Sequence, residues 1–223
     1  MKLGLIGGVS PHASSIIYCK VCDKYREIYN AYPEIVIYSI YMPKKIEDDF
    51  LANDVSLETT LFVKNQFKKA LDCFKNDGIN AVGICCNTLS NIFYDVAKEY
   101  GFKIILTPIN STLTFLKEKN INEYGVLATG YTSHNKLYGS KAYYLTDKEQ
   151  EELNKKIEEK IAGKNNVDLD NFALNLSKKF NINNFVLGCT DINSSDFSNN
   201  KIVIINSIDA FCNDCLEMLS KKN

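Results

Sequence analysis

The sequence predicts an α/β protein of two similar three-layer α/β/α half-domains with parallel sheets, its chemistry in the cleft between them. Three observations predict this. Apolar runs of strand length alternate with helical patterns along nearly the whole chain. An apolar run ending in a cysteine and a threonine occurs twice, as Val82-Gly83-Ile84-Cys85-Cys86-Asn87-Thr88 and as Phe185-Val186-Leu187-Gly188-Cys189-Thr190. The opening Leu3-Gly4-Leu5-Ile6-Gly7-Gly8 is echoed by Tyr124-Gly125-Val126-Leu127-Ala128-Thr129-Gly130.

In chain order, Leu3 to Gly8 reads as a short strand running into a glycine turn. A helix follows over about Ala13 to Asn30, with Ile16, Ile17, Val21 and Tyr25 on its apolar side. The turn Gly7-Gly8-Val9-Ser10-Pro11 can bring backbone amides to an anionic ligand. It lacks G-x-G-x-x-G, so no dinucleotide fingerprint is present. Ile35 to Tyr41 is a second strand, and Met42 to Asp49 reads as a polar loop. Ser56 can cap a long helix to Asn76, carried by Leu57, Leu61, Phe67, Leu71 and Phe74.

The run from Ile79 to Ile84 is a buried strand, and Leu89, Ile92, Phe93 and Val96 outline the next helix, with Asn87 or Thr88 as its cap. Phe102 to Leu106 is a further strand, and Pro108 opens another helix. The second cycle starts at Tyr124. Thr146-Asp147-Lys148-Glu149 forms a capping box for a helix whose Leu153, Ile157 and Ile161 share one face, ended by Gly163-Lys164-Asn165-Asn166. A strand and a polar helix start surround Cys189, Lys201 to Ile205 is the last strand, and a closing helix spans about Ser207 to Ser220. Residues 1–106 with 207–223 are expected to form the half-domain carrying Cys86, and 107–206 the half carrying Cys189. The closing helix is expected to pack back on the first half.

A chain of 223 residues, 45% of them hydrophobic, can build such a pair of cores. The formal net charge of -1 gives no reason to expect nucleic acid or an anionic membrane surface as a partner. No apolar run has spanning length, and the start Met1-Lys2-Leu3-Gly4-Leu5-Ile6 is too short for a signal peptide, so a cytoplasmic protein is expected. Eight cysteines then read as reduced thiols. Cys19 with Cys22, and Cys212 with Cys215, make two C-x-x-C pairs that could hold zinc. Both lie in helical segments, where a spacing of three places both residues on one face, and core packing is the preferred reading.

Cys86 and Cys189 are different, because each ends a strand, where open α/β sheets place their chemistry. The start of a following helix should lower the thiol pKa from about 8.5, at which only roughly 3% is thiolate at pH 7. One activated cysteine suggests a nucleophile. Two from matching halves suggest a base on one face of a carbon and an acid on the other, which inverts a stereocentre.

These motifs resemble those of the cofactor-independent aspartate/glutamate racemase superfamily, most closely the aspartate racemases. Gly7-Gly8-Val9-Ser10-Pro11 is similar to the family's opening glycine turn. Cys86-Asn87-Thr88 and Leu187-Gly188-Cys189-Thr190 are similar to its two cysteine motifs, and Ala128-Thr129-Gly130-Tyr131-Thr132 to its mid-chain substrate segment. The resemblance implies that Cys86 and Cys189 are the paired acid and base. It implies that Asn87, Thr88, Thr129 and Thr190 bind the α-amino and α-carboxylate groups, with Ser10 lining the site. It further implies cations for a dicarboxylic side chain, from Lys45 or its neighbour Lys44 and from Lys164. A homodimer and an aspartate substrate follow from the same resemblance.

Two positions depart from the family pattern: Ser90 stands where histidine is common, and Asp191 where glutamate is common. A carboxylate beside Cys189 can tune its protonation or hold a substrate ammonium. No lysine sits in an evident pyridoxal motif, so no cofactor is expected, and no metal. Of the two histidines, neither His12 nor His134 has a motif-backed role. Glutamate racemase, a related decarboxylase or isomerase, and a non-catalytic amino-acid or zinc-binding module are the competing readings.

Overall fold

The computed structural model describes residues 1–164 and 167–221. Asn165 and Asn166, at the expected end of the capped helix, lie outside the described residues. Strands β1 (Leu3–Gly7), β2 (Ile35–Ser39), β3 (Ala81–Ile84) and β4 (Ile104–Leu106) form one sheet in the order β2-β1-β3-β4. All its pairings are parallel, with Leu5 lying between Ile37 and Gly83. Strands β5 (Gly125–Leu127), β6 (Asn184–Leu187) and β7 (Val203–Asn206) form a second parallel sheet in that order.

Alternation along the strands divides each sheet into two covered faces, giving three layers in each half. In the first sheet, Ile6, Val82 and Ile84 pack with Phe67 and Leu71 of α3 (Leu57–Asn76) and Phe93 of α4 (Ser90–Glu99). On its other face, Leu3, Leu5 and Ala81 meet Ile17 and Val21 of α1 (Pro11–Tyr29) and Phe211 and Cys215 of α9 (Ser207–Ser220). The second sheet buries Leu127, Phe185 and Leu187 against Leu153 and Ile157 of α7 (Asp147–Ile161) and Leu176 of α8 (Asp170–Phe180). Val126 and Val186 pack on Ile109 and Leu116 of α5 (Pro108–Glu118) and on Tyr138. Helix α9 lies against both α1 and α5.

Several local expectations are corrected. Met42 to Asp49 is not a loop, because α2 occupies Lys44–Ala52. Its charged residues form i, i+4 pairs outside, while Phe50 and Leu51 anchor it inside. In α3 the buried face runs through Val63, Phe67, Ala70, Leu71 and Phe74, whereas Leu57 and Leu61 are exposed. Neither Asn87 nor Thr88 caps α4, whose first residue is Ser90. No α-helix starts after Cys189; the chain turns irregularly into a short 3-10 segment at Ser194–Asp196. Helix α8 had no counterpart in the sequence reading.

All eight cysteines are free thiols. Cys22, Cys212 and Cys215 are buried, in keeping with core packing, but Cys19 is exposed and leaves its pair without a common buried face. Among the described residues, no group of His, Cys, Asp and Glu is arranged to hold a metal, and no helix is long and apolar enough to cross a membrane.

Candidate active site

The carboxyl ends of β1 and β3 are adjacent in the first sheet, at the point where the chain order reverses between β2-β1 and β3-β4. After β1 the backbone turns at Gly8, with φ of +96°, where an added Cβ would lie 2.4 Å from the Ile40 carbonyl oxygen. Only glycine fits there. The turn delivers Ser10, whose Oγ accepts from the Ala13 amide as the N-cap of α1, with Pro11 in its first turn. β3 delivers Cys86, Asn87 and Thr88. From the second sheet, β5 delivers Thr129 and β6 delivers Cys189, Thr190 and Asp191.

These residues meet. Ser10, Cys86, Asn87, Thr88, Thr129, Cys189, Thr190 and Asp191 line one cavity, closed from the side by Glu47, Phe50 and Leu51 of α2 and by Ile157 and Ile161 of α7. Its free volume is about 50 Å³, and it borders an outer cavity of about 650 Å³ through Val9, Ser10, Glu47, Ile161 and Asp191.

Polar contacts join the halves across this cavity. The Ser10 hydroxyl donates to Asp191 Oδ1 at 2.7 Å. Thr88 and Thr129 pair through their hydroxyls at 3.0 Å, and Thr129 also donates to Thr132 at 3.1 Å. Asn87 is held at both ends of its amide: Nδ2 donates to Ser207 Oγ at 2.9 Å, and Oδ1 accepts from the Tyr138 hydroxyl at 2.5 Å. One N–H of that amide remains for a ligand. Ser90, which stands where the family pattern has histidine, donates to the Cys86 carbonyl at 2.9 Å and not to its sulfur.

The thiols are shifted opposite to the sequence expectation. Burial pushes Cys86 up to about 12, against opposing hydrogen bonds from the Leu89 and Thr88 amides and the Thr88 hydroxyl. Burial raises Cys189 well above the ordinary thiol range, and the Asp191 charge adds to it. Cys189 Sγ donates to Asp191 Oδ2 at 3.8 Å. Burial raises the Asp191 carboxyl, partly offset by the Ser10 and Cys189 hydrogen bonds. At both thiols desolvation outweighs any helix field.

The expected cations behave differently from the thiols and hydroxyls. Lys45 is not brought to either cavity; its side chain is 82% exposed and pairs with Asp49 at 3.1 Å. Lys44 pairs with Asp48. Two residues along a helix turn through about 200°, so Lys45 faces away from the side that Glu47 shares with Phe50 and Leu51. Lys164 reaches the outer cavity, paired with Glu159 at 2.8 Å. The sequence reading missed Glu47, hidden in a segment taken as loop, and Lys160, which lines the outer cavity in a half-buried pair with Asp196 at 2.7 Å. It also missed Tyr138 and Ser207, whose contacts to Asn87 span 51 and 120 residues of chain.

No protein-family model matches the sequence, and no curated protein matches it. Solved structures do resemble it. A candidate Asp/Glu racemase from Yersinia pestis superposes with a TM-score of 0.80 at 20% identity, covering 99% of this chain and 100% of that one. A Picrophilus torridus aspartate racemase gives 0.71 at 21% identity, covering 100% and 96%. Glutamate racemase from Francisella tularensis, solved with D-glutamate, gives 0.64 at 20%, covering 100% and 84%. The chain thus has the two-sheet fold of the aspartate and glutamate racemases.

Proposed function

We propose that the protein is an amino-acid racemase that works without pyridoxal phosphate, with Cys86 and Cys189 as its acid and base. The observation that carries the reading is the meeting of two thiols, each from the end of a strand in a different sheet, on one cavity lined by Asn87, Thr88, Thr129 and Thr190. On this reading one sulfur is a thiolate and the other a thiol. The thiolate takes the α-proton, its electron pair stays on Cα, and the opposite S–H proton bonds to the other face. The product has inverted configuration, and the two sulfurs have exchanged protonation states.

The α-proton is weakly acidic, so the carbanion needs hydrogen bonds at the α-carboxylate and a retained ammonium. The free Asn87 N–H and the threonine hydroxyls can serve the carboxylate. Asp191 can pair with the ammonium, whose charge also favours the thiolate. A second thiol on the far face distinguishes this reading from decarboxylation by a single cysteine.

Aspartate is the proposed substrate, supported by the sequence motifs and by the fuller match to an aspartate racemase than to glutamate racemases. The family resemblance of the sequence motifs supports a homodimer. The test is incubation with L-aspartate in D2O without pyridoxal phosphate, followed by chiral separation and mass spectrometry. D-aspartate carrying deuterium at Cα is expected. No inversion and no exchange with either L-aspartate or L-glutamate would leave an amino-acid-binding module as the better reading.

A further inference from the structure

Asn87 stands beside Cys86 and offers one N–H to a ligand, but a side-chain amide can present either its N–H or its oxygen at a given edge. What fixes the choice is Tyr138, a residue of the second half. It follows α6 (Gly130–His134), the short helix capped by Thr129. Tyr138, Asn87 and Ser207 are all buried. The Tyr138 hydroxyl donates to Asn87 Oδ1 at 2.5 Å, while Asn87 Nδ2 donates to Ser207 Oγ at 2.9 Å. Burial raises the phenol further from ionisation, so this donor persists at any working pH. The Ser207 hydroxyl has no such preference, since it can accept from an N–H or donate to an oxygen. The phenol proton is therefore the group that keeps the amide oxygen turned to the second half.

Tyr138 is itself pinned on several sides. Its amide donates to the Tyr144 hydroxyl at 3.1 Å, and its carbonyl accepts from the Tyr124 hydroxyl at 2.8 Å. Its ring packs on Gly188, the residue before Cys189. An added Cβ at Gly188 would sit 2.9 Å from ring carbon Cε2, closer than packed carbons come. One side chain thus touches both cysteine motifs: Asn87 next to Cys86 through its hydroxyl, and Gly188 next to Cys189 through its ring.

We infer that Tyr138 is a positioning residue of the reaction: its hydroxyl holds the Asn87 amide with an N–H presented to the α-carboxylate, and its ring registers Cys189 against the same amide. The inference rests on the racemase reading. When the α-proton leaves, negative charge builds on the α-carboxylate, and a donor already in place stabilises it without reorganisation. Without the phenol proton, Asn87 Oδ1 is buried and unpaired, and the amide can turn over onto Ser207. The site then meets the carboxylate with a lone pair in place of an N–H. The loss falls on turnover more than on binding, because the donor matters most as the charge grows.

The test measures α-proton exchange of L-aspartate in D2O by wild type, Tyr138→Phe, Asn87→Ala and the double variant. Values of kcat and KM are taken separately, and folding is checked by circular dichroism. Tyr138→Phe keeps the ring on Gly188 and removes one oxygen. It is expected to lower kcat by about tenfold or more and to change KM by less than about threefold. Added to Asn87→Ala it is expected to cost nothing further, because it acts through an amide that is no longer there. An unchanged kcat, or an equal loss with and without Asn87, would overturn the inference and leave the racemase reading standing. Should Tyr138→Phe not fold, Ser207→Ala takes its place and leaves the phenol as the holder of the amide. Ser207→Ala is then expected to lose less turnover than Asn87→Ala, and an equal loss would overturn the inference. No exchange by wild type with L-aspartate or L-glutamate would remove the racemase reading, and this inference with it.

Discussion

Cys86 and Cys189 end internal strands of two similar sheets, yet the balance of donors and acceptors around them differs. Around Cys86 the next turn folds back, so that the Thr88 and Leu89 amides face the sulfur and α4 follows. Around Cys189 no helix follows, and the nearest charged group is the Asp191 carboxylate, braced by Ser10 from the first half. Beyond burial, Asp191 raises both thiols, and each also has backbone donors. Cys86 has the Leu89 and Thr88 amides with the Thr88 hydroxyl, whereas Cys189 has the Asp191 amide alone and donates to the Asp191 carboxylate. A repeated sequence phrase thus builds two half-sites with different resting preferences: Cys86 the readier thiolate, Cys189 the readier thiol.

The sharpest way to break this comparison is to remove each sulfur. Cys86→Ala and Cys189→Ala should each lower net interconversion of L- and D-aspartate by about a thousandfold or more, read by chiral chromatography. Asp191→Asn comes next. It removes the charge that raises Cys189, so the thiol pKa falls and Cys189 should be alkylated faster by iodoacetamide at pH 8, read by peptide mass spectrometry. Turnover should fall about ten- to a hundredfold, because the acid is weakened as a proton holder and a partner of the ammonium is lost. Unchanged alkylation of Cys189 would show that Asp191 does not control it.

Stability tests the feature that the half-sites share. Burial raises Cys86 and Cys212 to about 12, and it raises Cys85, Cys189 and Cys215 as well. For a raised thiol the native chain keeps protons that the unfolded chain has released. Stability is therefore full below the unfolded value of about 8.5 and is lost as pH climbs towards the folded values. Each such thiol should cost about 1.4 kcal/mol per pH unit in that window, read from urea midpoints between pH 8 and 10. Ser90→Ala should have the smallest effect, about 1 kcal/mol, from loss of the hydrogen bond to the Cys86 carbonyl. A larger loss in turnover than in stability would give Ser90 a part in the chemistry.

Much of the frame was legible because it rests on local patterns. Pro108 opens α5, Thr146 and Glu149 form the capping box of α7, and the apolar runs became parallel strands. The strand ends that carry the cysteines were legible for the same reason, but the turns beyond them were not: Leu89 precedes α4 and no α-helix follows Cys189. Helix α2 was not, because its lysines and acids satisfy one another on the outer face and only Phe50 and Leu51 show that it has an inner one. That misreading concealed Glu47 and assigned its place to Lys45. The thiol pKa direction was also missed. A helix start was counted, while the desolvation that outweighs it depends on α2 and α7 closing over the site. The supports of Asn87 lie too far along the chain for any motif to show.

The most direct test of the two-thiol account is α-proton exchange by the single-cysteine variants in D2O, with pure L- and pure D-aspartate supplied separately. Each variant keeps one base on one face. Cys86→Ala should exchange the α-proton of one enantiomer without inverting it, and Cys189→Ala should do so with the other. Exchange of both enantiomers by one variant, or full racemisation by either, would contradict the account.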